Sequence, residues 1–502
     1  MTAAARYPNP LIPGFYPDPS VVKVDSDYYL ANSTFEYLPG IPVFRSGDLA
    51  HWELIGHVVE RPGQLASANV PTNGGAWAPT IRHREGTFYV VVTDAMGRGM
   101  LIFTAARPAG PWSDGTVVEN IHGIDPDLAW DDDGTAYITY SGLDTTSGEP
   151  FGGHGGILQI TADLETGKPL SEPRQLWSGT GLKFPEAPHL YRQDGFWYLM
   201  IAEGGTERGH GISVARGPAP DGPFEGGPGN PVVSARSTSR PIQNTGHGDL
   251  VQAPDGSWAV VMLGVRPAGG TQAFSVLGRE TFITTARWED GWLRIDPVEL
   301  APANDGFGFS DHFRGPTLSP EWISVRRFPA ELADLRAPGR LTLTGDGSTL
   351  DDQRPVFVGY RQLHRQIDVS VTVDAGAGTG GLAVRFDELH HYEIEVGGGN
   401  VTARGAVASI RQEWSCPAPA PVVTLHLECV PPAGSSLLDM LTSDVVVLSV
   451  SSAGADKREL ARLDGRYLSQ ETAASFTGRV LGLYAVSGEV AFSDFRYDGV
   501  ES

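Results

Sequence analysis

Asp25-Ser-Asp-Tyr-Tyr-Leu is the first of five copies of one pattern, in which a turn is followed by an aromatic-rich strand. The later copies are Glu85-Gly-Thr-Phe-Tyr-Val, Asp133-Gly-Thr-Ala-Tyr-Ile, Asp194-Gly-Phe-Trp-Tyr-Leu and Asp255-Gly-Ser-Trp-Ala-Val. Successive copies begin 60, 48, 61 and 61 residues apart along the chain. An acidic residue, usually with glycine, before alternating bulky residues is typical of a β-hairpin.

A second short apolar strand precedes each turn, so every repeat opens with a hairpin and carries further strands after it. These preceding strands are Pro19-Ser-Val-Val, Pro79-Thr-Ile, Pro126-Asp-Leu-Ala, Pro188-His-Leu and Gly248-Asp-Leu-Val. Hairpin-based units that recur in this way predict a five-bladed β-propeller. The alternative is an irregular β-sandwich whose segments resemble one another by chance.

The repeat also aligns acidic and aromatic side chains at one position of the unit. Counting back eight residues from each turn, or seven in the first unit, gives Asp18, Trp77, Asp125, Glu186 and His247. Equivalent positions of successive blades form a ring about the axis of a propeller. If the innermost strands begin at these positions, the five side chains converge on one end of the central channel.

A pocket that holds several carboxyl groups has a direct chemical use. Burial and mutual repulsion raise the pKa of at least one of the groups. A protonated acid then stands beside an ionised base at neutral pH, which is the pair that hydrolysis of a glycosidic bond requires. Taken singly, an aspartate before proline is better explained as a turn or cap residue. Only the shared repeat position favours the functional interpretation.

The bulk composition fits an acidic β protein that binds neither nucleic acid nor membranes. The chain of 502 residues has 63 glycines and 38 prolines, which suits many short strands and tight turns. Its net charge of −23 repels nucleic acid and anionic membranes, whereas a neutral sugar is indifferent to that charge. The polar N-terminus resembles no signal peptide, and the two cysteines, Cys416 and Cys429, are few for a disulfide-stabilised protein. We therefore expect a cytoplasmic protein.

The repeat stops after Pro302-Ala-Asn-Asp-Gly, and cleanly alternating strands follow. Examples are Gln366-Ile-Asp-Val-Ser-Val-Thr-Val and Tyr392-Glu-Ile-Glu-Val. Such strands with glycine-rich turns predict a β-sandwich. We therefore expect an all-β protein, with a catalytic propeller over residues 1–303 and a lectin-like, jelly-roll sandwich over residues 304–502.

Three segments surround the predicted carboxylates: Asn9-Pro-Leu-Ile-Pro-Gly-Phe-Tyr-Pro-Asp18-Pro-Ser, Gly123-Ile-Asp125-Pro and Lys183-Phe-Pro-Glu186-Ala-Pro-His. They resemble the active-site segments of glycoside hydrolase family 43, in particular its β-xylosidase and α-L-arabinofuranosidase branch. Further similar segments are Asn32-Ser-Thr-Phe35-Glu, Gly75-Ala-Trp77-Ala-Pro-Thr, Thr245-Gly-His247-Gly-Asp and Leu277-Gly-Arg279-Glu-Thr-Phe. The second half resembles the C-terminal domain of the same branch, including the ending Phe476-Thr-Gly.

The resemblance implies a role for each carboxylate. Asp18 would be the general base that activates water, and Glu186 the general acid that protonates the leaving oxygen. Asp125 would keep the pKa of the acid high and fix its orientation. Asp127 competes for that third role because both aspartates flank Pro126, but only Asp125 falls in the eight-residue register.

Phe35, Trp77, Ala78, His247 and Arg279 are the further residues expected to contact the sugar. Phe35 and Trp77 would form apolar walls, with ordinary blade packing as the alternative for Phe35. Arg279 would bind sugar hydroxyls, with a surface pair to Glu280 as the alternative. No cofactor is expected to be required. In some relatives the equivalent of His247 holds a divalent cation such as calcium, but one imidazole is a poor metal site by itself.

The resemblance implies an inverting, exo-acting hydrolase that releases terminal xylose from xylo-oligosaccharides, or arabinose from arabinose-substituted oligosaccharides. The alternatives are a main α-L-arabinofuranosidase activity, a retaining invertase-like propeller enzyme and a non-catalytic sugar-binding propeller. The sandwich would narrow the mouth of the pocket, through a residue that the sequence does not identify. Whether the chain acts alone or as a homo-oligomer also stays open.

Overall fold

The computed structural model describes residues 7–144, 153–271, 273–301, 306–434 and 436–500, and most of these residues lie in β-strands. Five antiparallel sheets follow one another along the chain, and their first strands pack together around one axis. This arrangement confirms the predicted five-bladed propeller. No helix of the described segments is long and apolar enough to cross a membrane.

Each blade is built from strands that follow one another in chain order. Blade 1 consists of Ser20–Val24, Asp27–Ala31, Gly40–Ser46 and Glu53–Val59, and blade 2 of Gly75–Arg84, Thr87–Ala95, Gly99–Ala105 and Thr116–Val117. Blade 3 consists of Gly123–Trp130, Ala136–Asp144, Gly153–Thr161 and Arg174–Trp177. Blade 4 consists of Glu186–Gln193, Phe196–Glu203, Gly211–Gly217, Glu225–Gly226 and Val233–Ser234, and blade 5 of Gln243–Gln252, Trp258–Val265, Glu280–Glu289 and Trp292–Ile295.

The predicted turns join the first two strands of the blades. In blades 2 and 4 the turn is two residues long, and both of its residues have positive φ: 51° and 80° at Glu85 and Gly86, and 49° and 83° at Asp194 and Gly195. Such turns match the right-handed twist of the flanking strands. The acidic-glycine pairs therefore form hairpins because their backbones accept this left-handed conformation.

The sandwich domain forms one large, nearly closed antiparallel sheet, which confirms the predicted second domain. Its strands are Phe307–Asp311, Ala333–Asp334, Leu341–Asp346, Phe357–Arg361, Gln366–Asp374, Thr379–Arg385, His390–Gly397, Asn400–Val407, Ile410–Pro417, Val422–Val430, Val445–Ser451, Arg458–Asp464 and Val480–Val500. Short helices occupy Pro329–Leu332, Leu437–Leu441, Gly465–Tyr467 and Gln470–Ala473. The strand Val480–Val500 pairs with five others and so connects both layers. The predicted boundary between residues 303 and 304 lies outside the described residues.

The two domains share a sheet and an apolar core. Tyr37–Leu38 from the propeller pairs with Ser324–Val325 from the sandwich side. Phe15 and Tyr37 are buried in one cluster with sandwich residues such as Phe357. Burial of an aromatic side chain of this size stabilises the contact by roughly 1.5–3 kcal/mol. The sandwich is therefore fixed against one end of the propeller.

Candidate active site

The residues at the shared repeat position all reach one cavity at the end of the propeller axis. Asp18, Trp77, Asp125, Glu186 and His247 line this cavity, whose volume is about 520 Å³. In blades 2 to 5 the pairing of the first two strands shifts beside these residues. Such a shift marks a β-bulge, which changes the direction of the neighbouring side chain. The structure thus brings together the ring of residues that the repeat predicts.

A left-handed backbone accompanies each of these positions. Asp18, Asp125 and His247 have φ values of 54°, 56° and 48°. In blades 4 and 2 the following residue, Ala187 or Ala78, takes this conformation, with φ values of 50° and 42°. The conformation costs on the order of 1–3 kcal/mol for each non-glycine residue. The surrounding sheets therefore impose a strained backbone conformation at the start of the innermost strands, where the cavity begins.

Asp18 is held as a carboxylate by the groups around it. Arg279 Nη1 donates to Asp18 Oδ1 at 3.0 Å, and Ser33 Oγ donates to Oδ2 at 2.6 Å. Burial alone would raise the pKa of Asp18, but Arg279, His247 and Ser33 lower it by more, so it lies below its ordinary value. The amide of Ala78 donates to Ser33 Oγ at 2.6 Å. The amide of Ala78, a residue predicted to contact the sugar, therefore supports the hydroxyl that holds Asp18.

The pKa values of Glu186 and Asp125 are shifted in the opposite direction, upwards. Burial, followed by the negative charges of Asp125 and Asp18, raises the pKa of Glu186 well above its ordinary value. Burial and Asp18 raise the pKa of Asp125 to about 7, although the amide of Ala187 donates to Asp125 Oδ2 at 3.1 Å. The surroundings therefore favour an ionised Asp18 beside a protonated Glu186, a combination that suits general base and general acid roles.

Three aromatic rings pack together as one apolar wall of the cavity, and one of them comes from the sandwich. The rings of Phe35 and Phe476 stack with their centres 5.9 Å apart, and Trp77 meets Phe476 edge-on at 5.6 Å. Phe35 therefore faces the cavity as well as its own blade. Among the described residues, Phe476 is the sandwich residue that lines the cavity.

Arg279 lies inside the cavity and not on the surface. Its side chain is 6 % exposed, and its guanidinium carbon lies 5.6 Å from the centre of the Phe35 ring and 5.3 Å from that of Phe476. The alternative partner, Glu280, instead accepts from Arg266 Nε at 2.7 Å. Arg279 therefore places a positive charge between Asp18 and the aromatic wall.

His247 is neutral and offers little to a metal ion. Its Nδ1 lies 3.5 Å from Asp18 Oδ1 and 4.0 Å from Asp125 Oδ2, and burial lowers its pKa to about 3. Among the described residues, no group of three or more His, Cys, Asp or Glu side chains is arranged to hold a metal. Because Asp18 is already paired with Arg279, a calcium ion here would take most of its ligands from water. The cation near His247 stays a prediction.

A second ring of side chains, the hub cluster, fills the axis one layer below the cavity. The hub cluster consists of Ser20, Arg82, Asp127, His189, Tyr191 and Asp249, with at least one residue from each blade. Arg82 donates to Asp127 Oδ1 at 2.7 Å and to Asp249 Oδ2 at 2.8 Å. Burial would raise the pKa of Asp127, but Arg82 and His189 lower it. Asp127 is thus a paired carboxylate of the hub cluster, which favours Asp125 as the neighbour of the acid.

Several cavity residues were not identified from the sequence. They are Thr93, Asp94, Met96, Ile121, His154, Phe184, Thr206, Glu207 and Phe476. Most lie on loops between blade strands, where the repeat sets no pattern. Phe476 lies in a segment quoted for its resemblance, so a signal was present there. Its place against Phe35 depends on how the domains dock, which no local pattern encodes.

Comparisons with known proteins agree with this geometry. Residues 7–293 match the family profile described as glycosyl hydrolases family 43, and residues 310–498 match the β-xylosidase C-terminal concanavalin A-like domain. The chain is 34% identical over 509 residues to a non-reducing-end α-L-arabinofuranosidase of Bacteroides ovatus, covering 96% of this chain and 92% of that protein. It is 30% identical to a xylan 1,3-β-xylosidase of Vibrio, covering 97% and 98% of the two chains.

A solved structure extends the similarity to the whole architecture. The crystal structure of a xylan β-1,4-xylosidase from Bacillus halodurans superposes with a TM-score of 0.87 at 29% identity, covering 98% of this chain and all of that one (100%). The match includes both domains, and the profiles divide the chain into the same two parts that the structure shows. The protein is a glycoside hydrolase and belongs to glycoside hydrolase family 43.

Proposed function

We propose that this hydrolase is an exo-acting β-xylosidase that inverts the anomeric carbon, with α-L-arabinofuranosidase as a weaker activity. The observation that carries the proposal is that one cavity holds Asp18, bonded to Arg279 and Ser33, together with Glu186, whose pKa is raised by burial and neighbouring carboxylates. These residues belong to blades 1 and 4, which flank the axis from different sides. That placement favours the wider carboxyl spacing of inverting enzymes, roughly 6.5–9.5 Å, which leaves room for a water molecule.

The reaction uses each carboxyl group in the state that its surroundings favour. Asp18 takes a proton from a water molecule as the water oxygen attacks the anomeric carbon. Glu186 gives its proton to the glycosidic oxygen as the bond to that oxygen breaks. Arg279 keeps Asp18 ionised and is placed to bind sugar hydroxyls. Asp125 keeps the pKa of Glu186 high, so that the acid still carries its proton when substrate arrives.

The shape of the cavity supports attack at chain ends. The hub cluster fills the axis below the carboxylates, since the side chains of Asp127 and Asp249 are 0 % and 1 % exposed. Phe476 closes part of the mouth from above. A polymer cannot thread past a closed floor, so only a terminal residue fits beside Asp18 and Glu186.

The choice of pentose rests on the relatives. Proteins similar to this chain are named xylosidase/arabinosidase in Butyrivibrio fibrisolvens and xylan β-1,4-xylosidase in Bacillus halodurans, whereas the Bacteroides ovatus relative is an α-L-arabinofuranosidase. Terminal xylose of xylo-oligosaccharides is therefore the first substrate to test, and arabinose-substituted oligosaccharides are the second. The two sugars differ in few contacts, worth about 1–3 kcal/mol.

The test is a substrate panel followed by stereochemistry. We expect single xylose units from xylobiose and xylotriose, faster hydrolysis of 4-nitrophenyl β-D-xylopyranoside than of the α-L-arabinofuranoside, and little internal cleavage of polymeric xylan. Proton NMR during early turnover should first show α-xylose. Asp18→Asn should reduce turnover of every substrate by about 10²–10⁴-fold, since no other group activates the water.

The matched control is Asp132→Asn, because Asp132 is an exposed aspartate of a blade turn and pairs only with Arg192 on the surface. It should retain full activity. Initial release of β-xylose would refute the inverting mechanism and favour the invertase-like alternative. Mainly internal cleavage of xylan would refute the exo assignment. Faster turnover of the arabinofuranoside would make arabinofuranosidase the main activity.

A further inference from the structure

Asn73 lies where blade 2 meets the sandwich, and each of its polar groups has a partner there. Its amide donates to Glu36 Oε2 at 3.1 Å, and its carbonyl oxygen accepts from Trp77 Nε1 at 2.6 Å. Its side-chain Oδ1 accepts from Ser475 Oγ at 2.7 Å and from the amide of Phe476 at 2.9 Å. One residue thus joins the propeller wall Trp77 to the sandwich wall Phe476.

The backbone of Asn73 is in the left-handed region, with φ of 68°. Asparagine adopts this conformation more readily than most residues, and glycine adopts it freely. Glycine would keep the turn and both main-chain hydrogen bonds, but it would supply no Oδ1. The backbone and side-chain contributions of Asn73 can therefore be separated by experiment.

The sandwich segment that carries Phe476, residues 470–479, is held at its other side by blade 5. The amide of Gln470 donates to the carbonyl oxygen of Ser275 at 3.2 Å, and the amide of Arg479 donates to that of Val276 at 3.3 Å. Glu471 accepts from the amide and the hydroxyl of Ser275, both at 2.7 Å. The segment therefore bridges two propeller loops, and Asn73 is its hydrogen-bonded attachment on the blade 2 side.

We propose that Asn73 is a positioning residue that fixes Phe476 against Trp77, so that the sugar pocket acquires its shape only when the two domains are docked. The inference rests on the proposed function, because the aromatic wall is where the terminal sugar would bind. Asn73 does not line the cavity and makes no hydrogen bond to the cavity residues Asp18, Asp125 or Glu186. Its loss should weaken sugar binding and leave proton transfer almost unchanged.

The test compares Asn73→Gly, Asn73→Asp and Phe476→Ala with the full-length enzyme on 4-nitrophenyl β-D-xylopyranoside. For Asn73→Gly we expect KM to rise about tenfold with kcat within about threefold of wild type. Asn73→Asp keeps an oxygen at Oδ1 and should hold KM within about threefold of wild type. If Asn73 acts through Phe476, adding Asn73→Gly to Phe476→Ala should change KM by less than about twofold.

Hydrogen exchange of the backbone amides of residues 470–479 measures the same attachment and requires no substrate. Exchange in this segment should be faster in Asn73→Gly than in wild type, while the innermost blade strands stay unchanged. Three outcomes would overturn the inference: a wild-type KM and exchange rate in Asn73→Gly, equal effects of Asn73→Gly and Asn73→Asp, or an additive double variant. An inactive wild type would refute the proposed function alone, because the exchange experiment would still decide the role of Asn73.

Discussion

Asp18, Asp125 and Glu186 occupy one cavity, yet their neighbours set the charge of each differently. Only Asp18 receives a guanidinium and a hydroxyl, from Arg279 and Ser33, and its pKa falls although it is buried. Glu186 has burial and two carboxylate neighbours, all of which raise its pKa. The acid and base roles that we propose for Glu186 and Asp18 therefore rest on their surroundings, since all three residues are ordinary carboxylic acids.

At the residue scale, Glu186→Gln should discriminate between leaving groups. An aryl oxygen with a low pKa leaves without protonation, whereas the sugar oxygen of xylobiose requires the proton of Glu186. We expect kcat to fall by about 10²–10⁴-fold on xylobiose and by far less on 2,4-dinitrophenyl β-D-xylopyranoside. Glu85→Gln, on an exposed turn, is the control. Equal losses on both substrates would show that Glu186 is not the acid.

Asp125→Asn should change the pH profile of kcat/KM in one direction. Activity requires protonated Glu186 and ionised Asp18, so Glu186 sets the alkaline limb and Asp18 the acid limb. Removing the negative charge of Asp125 lowers the pKa of Glu186 and moves the alkaline limb to lower pH. The acid limb should stay in place because Arg279 and Ser33 still hold Asp18. An unchanged alkaline limb, measured on xylobiose, would contradict this role for Asp125.

The sequence predicted site residues where the repeat or the resemblance to known active-site segments marked them, and the resemblance alone indicated Phe35 and Arg279. The shared position before each turn identified the carboxylates and His247 as neighbours. It could not identify Ser33, because this hydroxyl reaches Asp18 through the fold of blade 1 and the amide of Ala78. The predicted contact of Ala78 with the sugar stays a prediction, and in the structure the amide of Ala78 donates to the hydroxyl of Ser33.

At the element scale, close backbone packing places the aromatic wall. The segment around Phe35 pairs with Ala76 through two backbone hydrogen bonds of 3.1 Å. Gly75, directly before Ala76, has φ of 95°, and a Cβ there would lie 2.2 Å from the Phe35 carbonyl oxygen. Only glycine permits this approach, so the position of Phe35 in the cavity depends on the absence of a Cβ at Gly75.

Gly75→Ala should therefore lower both stability and activity. The expected loss is about 1–2 kcal/mol of unfolding free energy from the left-handed backbone alone, and more from the clash. Displacement of Phe35 should also reduce kcat/KM by about 10- to 100-fold. Urea denaturation and the xyloside assay measure the two effects.

Gly86→Ala provides the matched control for this prediction. Gly86 has a similar φ of 80°, but a Cβ there would meet nothing within 4 Å. It should lose stability to backbone strain and keep full kcat/KM. If Gly75→Ala behaved in the same way as Gly86→Ala, the close approach to Phe35 would be irrelevant to the site.

The sequence predicted well which segments form strands, but it did not predict where those strands are irregular. The strand Gln366–Asp374 alternates buried and partly exposed residues along its whole length, as its pattern predicts. The bulges that begin the innermost blade strands had no such signature. Bulges depend on pairing between neighbouring strands, and the sequence of one strand does not record where its partner shifts.

At the scale of the whole molecule, the sandwich contributes both to the candidate active site and to the buried core of its interface with the propeller. Arg361 is buried between the domains with its guanidinium carbon 4.5 Å from the Phe15 ring and 4.3 Å from the Tyr16 ring. Tyr37 and Phe15 lose their apolar cover if the sandwich is absent. The two domains therefore depend on each other for stability as well as for the shape of the pocket.

A fragment of residues 1–305 should accordingly aggregate. The kcat/KM of any fraction that stays soluble should be at least about 100-fold lower than that of the full-length protein. The exposed apolar face drives association, and the missing Phe476 opens the pocket. Light scattering and the xyloside assay check both expectations. A monodisperse fragment with full turnover would show that the sandwich is an independent module.

Because the hub cluster fills the axis below the cavity, we expect substrate and products to pass through the opposite end of the cavity. The liberated monosaccharide lies at the bottom of the cavity, behind the shortened oligosaccharide that occupies the entrance. The shortened oligosaccharide must therefore leave before the monosaccharide. The enzyme must release the oligosaccharide after every cleavage before its cavity can empty. We therefore expect distributive hydrolysis, in which each chain returns to solution between rounds, because Arg82 and its hydrogen-bonded partners fill the axis below the cavity.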